Sequence, residues 1–111
     1  MSGSTILNEL SDLLAQRKAN PPAERSYVVS LLHGGRPKIA AKIVEEASEV
    51  VEAAEEEGEL GSEHLTKEVA DLVFHAMVML TARDVPWSAV EDELGRRFGI
   101  SGIAEKESRN H

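Results

Sequence analysis

The residues best suited to chemistry are five acids in two short runs. Glu45, Glu46 and Glu49 form an E-E-x-x-E segment, and after eighteen intervening residues Glu68 and Asp71 form E-x-x-D. Side chains three apart on a helix share a face. Glu46 with Glu49, and Glu68 with Asp71, therefore each offer two carboxylates on one side. Four carboxylates converging on one space repel each other unless a cation sits between them. Their oxygens are hard donors, which favour Mg²⁺, Mn²⁺ or Ca²⁺ over zinc or copper, and Mg²⁺ keeps coordination positions for water and phosphates. Glu46, Glu49, Glu68 and Asp71 are the candidate metal ligands, with Mg²⁺ the expected ion and Mn²⁺ its expected substitute. Chance gives E-x-x-E on any acidic helix, but two copies on neighbouring helices are harder to obtain by accident.

The surrounding polar residues read more plainly. The glutamates over 52–57 lie on the far side of their helix or near its fraying end and are expected to form a solvated face. His64 and His75 share the edge of Glu68 and Asp71, each four residues from an acid. The Glu-x-x-His pair of di-iron bundles is absent, so both are expected to be hydrogen-bonding neighbours or surface residues. Lys42, one turn before the acids, is either a phosphate contact or an ordinary helix ion pair with Glu45 or Glu46.

Two adjacent helices are needed to hold this arrangement, and the apolar period is helical almost throughout. Ile6, Leu7, Leu10, Leu13 and Leu14 mark a first helix, capped by Ser4 or Thr5 and ended by Asn20-Pro21-Pro22. Ser26 caps a short helix over 26–32 that Gly34-Gly35 stops. Pro37 opens a long helix to about Glu57, striped by Ile39, Ala40, Ile43, Ala47, Val50, Val51 and Ala54. After Gly58 and Gly61, Ser62 is expected to cap a fourth helix to about Arg83, which Asp84-Val85-Pro86 breaks. Ser88 and Glu91 have the capping-box spacing for a last helix to Phe98, and the polar tail after Gly99 is expected to be irregular. The expected fold is all-α: one domain over 1–111, a bundle of about five helices, its two long antiparallel members carrying the metal site.

The fourth helix is apolar around most of its circumference, with Leu72, Val73, Phe74, Ala76, Met77, Val78 and Met79 between Val69 and Leu80. Five short helices cover one side of it easily and both sides with difficulty. A homodimer covering Phe74 and Val78 is the expectation, and the central helix of a monomeric bundle the alternative.

Composition narrows the function classes. The chain has 111 residues, no cysteine, 12 Lys+Arg against 20 Asp+Glu and a net charge of −8. Without cysteine it has no thiol nucleophile, disulfide or iron–sulfur cluster. Its charge disfavours a general nucleic-acid-binding role. An acidic chain that handles phosphates needs metal ions to offset the repulsion. No stretch approaches a membrane span, and MSGSTILNELSDLL lacks the pattern of a signal peptide. A cytoplasmic location without membrane association is expected.

The paired acidic pattern resembles the all-α nucleotide pyrophosphohydrolases, the MazG-like superfamily. Within it the chain resembles the phosphoribosyl-ATP pyrophosphohydrolase family. Carrying that resemblance are Arg17-Lys18, Ser26-Tyr27 with Leu31-Leu32 and Gly35, Lys38 and Lys42 before Glu45 to Val51, Glu68-Val69-Ala70-Asp71-Leu72 with His75, Glu93-Leu94 with Arg97, and the tail Ser101-Gly102-Ile103-Ala104-Glu105-Lys106. Val28, Val44 and Phe74 replace the threonine, glycine and tyrosine frequent there, and none of these changes removes a charge. The resemblance implies Mg²⁺-dependent hydrolysis of the α–β phosphoanhydride of phosphoribosyl-ATP, in histidine biosynthesis. It implies Glu45 or Glu49 for water activation, and Lys42, Lys38, Ser26, Arg97 and Lys106 as substrate contacts. The fused cyclohydrolase of some members, with its zinc cysteines, is not expected. The competing readings are a related enzyme clearing ordinary or modified nucleoside triphosphates, and a dimeric helical module whose acids are merely solvated.

Overall fold

The computed structural model describes residues 5–24 and 26–99. They form four helices: α1 (Ile6–Ala19), α2 (Tyr27–Ala54), α3 (Gly58–Ala82) and α4 (Trp87–Phe98). There is no strand among the described residues. Instead of about five helices there are four, because the expected second and third run on as one kinked element. Gly35 sits inside α2 with φ 79° and ψ 179°, far from helical values. Only glycine adopts that conformation without strain. The expected break at Gly34-Gly35 is thus a sharp bend between two helical segments, 27–34 and 36–54.

The bend reverses the chain. α2 and α3 form an antiparallel hairpin with the most extensive packing in the molecule. Glu46 lies opposite Asp71, so Lys42, one turn earlier, is level with His75, one turn later. Yet Tyr27 bonds His75 directly, its hydroxyl 2.7 Å from Nε2. On a straight helix, Tyr27 would stand about 22 Å from Lys42. Segment 27–34 therefore folds back along the hairpin and carries Leu31 into the core beside Leu14, Ile39, Met77 and Val78.

That placement corrects the expectation for Val78. It is fully buried in the core of a single chain, so a second copy is not needed to cover it. Phe74 is half-buried, stacked 6.1 Å from Tyr27. The folded-back segment, together with α1, covers the second side of α3, which the order of helices in the sequence does not reveal.

The boundaries have local causes. Thr5 caps α1 through Asn8 N–H, and Ser26 caps α2 through Val29 N–H. α3 begins at Gly58, not after Ser62, and α4 begins at Trp87 with Pro86 at its N-cap, so Ser88 is not a cap. Local packing bears on the first start and a contact between helices on the second. A Cβ on Gly61 would overlap the Glu56 carbonyl, so the missing side chain is what lets the 55–57 connection close tightly on α3. Trp87 N–H donates to Ser11 Oγ of α1 at 3.0 Å. At the other end of α3, the Lys18 ammonium donates to the carbonyls of Thr81 (3.3 Å) and Ala82 (3.1 Å) and to Asp84 (2.8 Å). A cation on the exposed carbonyls of a helix C-terminus is the favourable sign. No helix among the described residues is long and apolar enough to cross a membrane. Lys106 and the polar tail lie outside the described residues.

Leu31 joins the folded-back segment to the core, so Leu31→Ala is expected to cost about 2–5 kcal/mol. Exposed Ile6→Ala should cost far less. Urea unfolding of the two variants checks this, and similar losses would contradict the packing.

Candidate metal centre

The two acidic edges meet across the hairpin. Glu46, Glu68 and Asp71 each offer a carboxylate oxygen within 4.8 Å of the others. Glu46 is only 6 % exposed, Glu68 is half-buried and Asp71 opens to solvent. Such depth is unusual for a glutamate on an amphipathic helix. Glu46 borders the Ile39–Ile43 stripe, and α3 closes over it.

Glu49, the fourth candidate ligand, borders this trio without joining it. It is half-buried and lies close enough to Glu46 and Glu68 to share protons with both. Glu68 is pushed up to about 7, first by the hydrogen bond to Glu49 that its protonated form makes, then by loss of water and by repulsion from Glu49 and Glu46. Burial is the main cause raising Glu46, with Glu49 next. Glu49 is held low, chiefly by the hydrogen bond from Glu68. The metal-free cluster thus relieves its repulsion by retaining protons.

The donor set suits a hard divalent cation. All the donors are carboxylate oxygens, and Glu46 Oε2 and Glu68 Oε2 are buried with no hydrogen-bond partner among the described residues. A buried carboxylate oxygen left unpaired carries a full desolvation penalty, which a coordinated ion removes.

The other candidates separate by position. Lys42 forms the helix ion pair, 2.6 Å from Glu45 and 3.9 Å from Glu46, and the bond to Glu45 raises its pKa. Glu45 is exposed and engaged by that lysine. Lys38 donates to Ser30 Oγ at 3.0 Å, and Ser26 serves as the α2 cap. Arg97 lies on α4, 2.7 Å from Glu93. Because α4 packs chiefly on α1, the single chain does not bring Arg97 to the acids. His64 bridges Glu56 (2.8 Å) and Glu68 (3.5 Å), so Glu56 is not purely solvated as expected. His75 Nδ1 faces the Asp71 carbonyl at 2.8 Å. A carbonyl only accepts, so Nδ1 bears the proton and Nε2 accepts from the Tyr27 hydroxyl. This part-buried link between α2 and α3 was not anticipated. Its only sequence signal was His75 one turn beyond Asp71.

Comparison with known proteins places the chain among named relatives. The family model described as phosphoribosyl-ATP pyrophosphohydrolase matches residues 7–98. A protein of Neisseria meningitidis (serogroup C) named phosphoribosyl-ATP pyrophosphatase is 46 % identical over 107 residues, 96 % of each chain. One of the same name from Trichlorobacter lovleyi is 49 % identical over 109 residues, 97 % of this chain and 96 % of its own. A third, from Rhodopirellula baltica, is 45 % identical over 93 % of this chain and 85 % of its own.

A pH dependence follows for the metal-free protein. The Glu68 carboxyl titrates near 7 in the fold against 4.5 as its ordinary value. The fold therefore binds more protons in that window, and stability falls as pH rises through it. Raised Glu46 and His64 act in the same direction, and the lowered Glu49 acts only at more acidic pH. In EDTA the melting temperature is expected to be lower at about pH 7.5 than at about pH 5.5, and Mn²⁺ should restore it most at the higher pH. A flat profile in EDTA would refute the coupling.

Proposed function

The chain belongs to the phosphoribosyl-ATP pyrophosphohydrolase family, and on that footing we propose that it hydrolyses phosphoribosyl-ATP to phosphoribosyl-AMP and pyrophosphate, a step of histidine biosynthesis in the cytoplasm. The observation that carries the site assignment is the meeting of Glu46, Glu68 and Asp71 across the hairpin, with unpaired buried oxygens on both helices. These three acids and Glu49 would hold Mg²⁺ or Mn²⁺. Bound there, the ion neutralises the triphosphate and stabilises the charge that develops as the α–β anhydride breaks.

The chain's own groups divide the remaining work. Glu49 stands beside the trio without joining it, so a carboxylate oxygen left off the metal is placed to accept a proton from the attacking water. Glu45 is tied to Lys42 and serves better to position that lysine than to take a proton. The Lys42 ammonium, one turn from Glu46, adds positive charge where the phosphates must lie. Ser26 lines the cleft beside Tyr27 and stays a substrate contact, while Lys38, bonded to Ser30, and Arg97 on α4 would need a different approach to the site.

Activity is expected to vanish in EDTA and to return with Mg²⁺ or Mn²⁺. Glu49→Gln and Asp71→Asn should each lose about a hundredfold or more in kcat/KM while folding normally. Glu52→Gln, on the exposed face of α2, should stay near wild type and is a better control than Glu56. A turnover panel of phosphoribosyl-ATP against ordinary triphosphates reads all of these. Preference for ordinary triphosphates would instead favour a house-cleaning enzyme, and full activity without metal would overturn the site.

A homodimer belongs to the same proposal, on a different face from the one expected at first. Val44 and Val51, two turns apart on α2, are 69 % and 65 % exposed. They share one face, and apolar exposure concentrated on one face of a helix marks an interface. Val44→Glu with Val51→Glu should convert dimer to monomer by light scattering. A wild-type monomer at micromolar concentration, or an undisturbed dimer in the double variant, would reject that face.

A further inference from the structure

Beside the acidic cluster lies a cleft of about 410 Å³ whose walls include Arg17, Glu24, Ser26, Tyr27 and Phe74. It is built by the fold-back of α2 against the end of α1 and the middle of α3. Its position relative to the acids is fixed by two bonds: Tyr27 hydroxyl to His75 Nε2, 2.7 Å, and His75 Nδ1 to the Asp71 carbonyl, 2.8 Å. Phe74 follows Asp71 by three residues, about one helical turn. The cleft therefore starts about a turn from the carboxylates and extends away from them towards Arg17.

Two features of this cleft lack a structural explanation. Tyr27 is bonded at its hydroxyl, yet the residue is 52 % exposed, so much of its ring is open to solvent. Arg17 is half-buried and makes no ion pair among the described residues, although the neighbouring Lys18 is fully engaged with the end of α3. In a chain of net charge −8, a guanidinium kept apart from the many carboxylates suits an external anion. Glu24, the one acid on the wall, is exposed.

The proposed substrate carries phosphate at both ends. Its triphosphate belongs at the acidic cluster, and its second ribose ends in a phosphomonoester that ordinary ATP lacks. We propose that the Arg17 cleft binds this distal ribose phosphate, with the adenine ring lying against the exposed Tyr27 face, and that Arg17 is a specificity-determining residue. Guanidinium is the side chain best matched to a phosphomonoester, since its fork bonds two oxygens at once. The inference rests on the activity proposed above and adds the basis for choosing phosphoribosyl-ATP over ATP.

The test separates the two claims. Ribose 5-phosphate carries the distal arm alone, and its binding is read by NMR at the Arg17 Nε–H resonance of the protein, without turnover. A saturable shift at millimolar concentration is expected in wild type, and no shift at that resonance would overturn the Arg17 site even if the enzyme turns over phosphoribosyl-ATP. In steady state with Mg²⁺, Arg17→Ala should raise KM for phosphoribosyl-ATP about ten- to hundredfold, with a much smaller change in kcat. Arg17→Lys should recover part of that loss. ATP, tested as a competitor, lacks the distal arm and should inhibit wild type and Arg17→Ala with the same constant. Weakening of ATP and phosphoribosyl-ATP alike, or an unchanged KM, would overturn the proposal. Absence of phosphoribosyl-ATP turnover in wild type would instead refute the proposed activity, with the NMR arm still deciding whether Arg17 binds the sugar phosphate.

Discussion

Electrostatic repulsion between carboxylates on facing helices is the constraint around which the structure is arranged. Glu46 and Glu68 are drawn out of water by the same apolar contacts that close the α2–α3 hairpin. A single buried carboxylate already raises the cost of the charged form, and two neighbours raise it further. The metal-free chain meets that cost by holding protons, most visibly on Glu68. A divalent cation would offer a second solution, and the polyphosphate of the proposed substrate would then meet an attraction instead of a third repulsion. With an ion there, binding and folding would draw on one set of interactions, since a metal site assembled from two helices couples the two.

The second organising element is the bend at Gly35. It turns one long amphipathic stretch into two segments of opposite direction and gives the α3 helix a cover on its second side. The same turn brings Tyr27 to His75 and so creates the wall of the cleft next to the acids. A small hydrophobic core, with Leu14, Leu31, Ile39, Met77 and Val78 as its large buried side chains among the described residues, joins α1, α2 and α3. Lys18 contributes at the far end, tying α1 to the last turn of α3 through two bonds and to Asp84 just beyond it through a third.

Much of the site was legible because helical geometry is local. The i, i+3 spacing of Glu46–Glu49 and Glu68–Asp71 sets which side chains point together, and the short connection after Ala54 makes the two helices neighbours. Thr5 and Ser26 were readable as caps for the same reason, and Lys42 fell into its helix pair with Glu45. What was not legible depends on contacts between distant residues. Gly34-Gly35 announces a break, but nothing nearby in sequence states that the chain reverses there, so Val78 was assigned to an outer face. Ser62 and Ser88 have the side chains of caps, but packing at Gly61 and the bond from Trp87 to Ser11 decide where those helices start. Burial of Glu46 to the point of leaving an oxygen unpaired is likewise a property of the assembled hairpin.

The tightness of the 55–57 connection has a consequence for how such a chain can diverge. Each residue added to a helix rotates its successors by about 100°. Glu56 packs against the backbone at Gly61, so an extra residue that propagates into α3 changes the register of that helix. One extra residue would turn Glu68 and Asp71 away from Glu46 while leaving the amphipathic pattern of each helix intact. The 83–86 connection carries no such constraint, because α4 contributes nothing to the acidic cluster, and the hairpin acts as a fixed ruler between the two halves of that cluster.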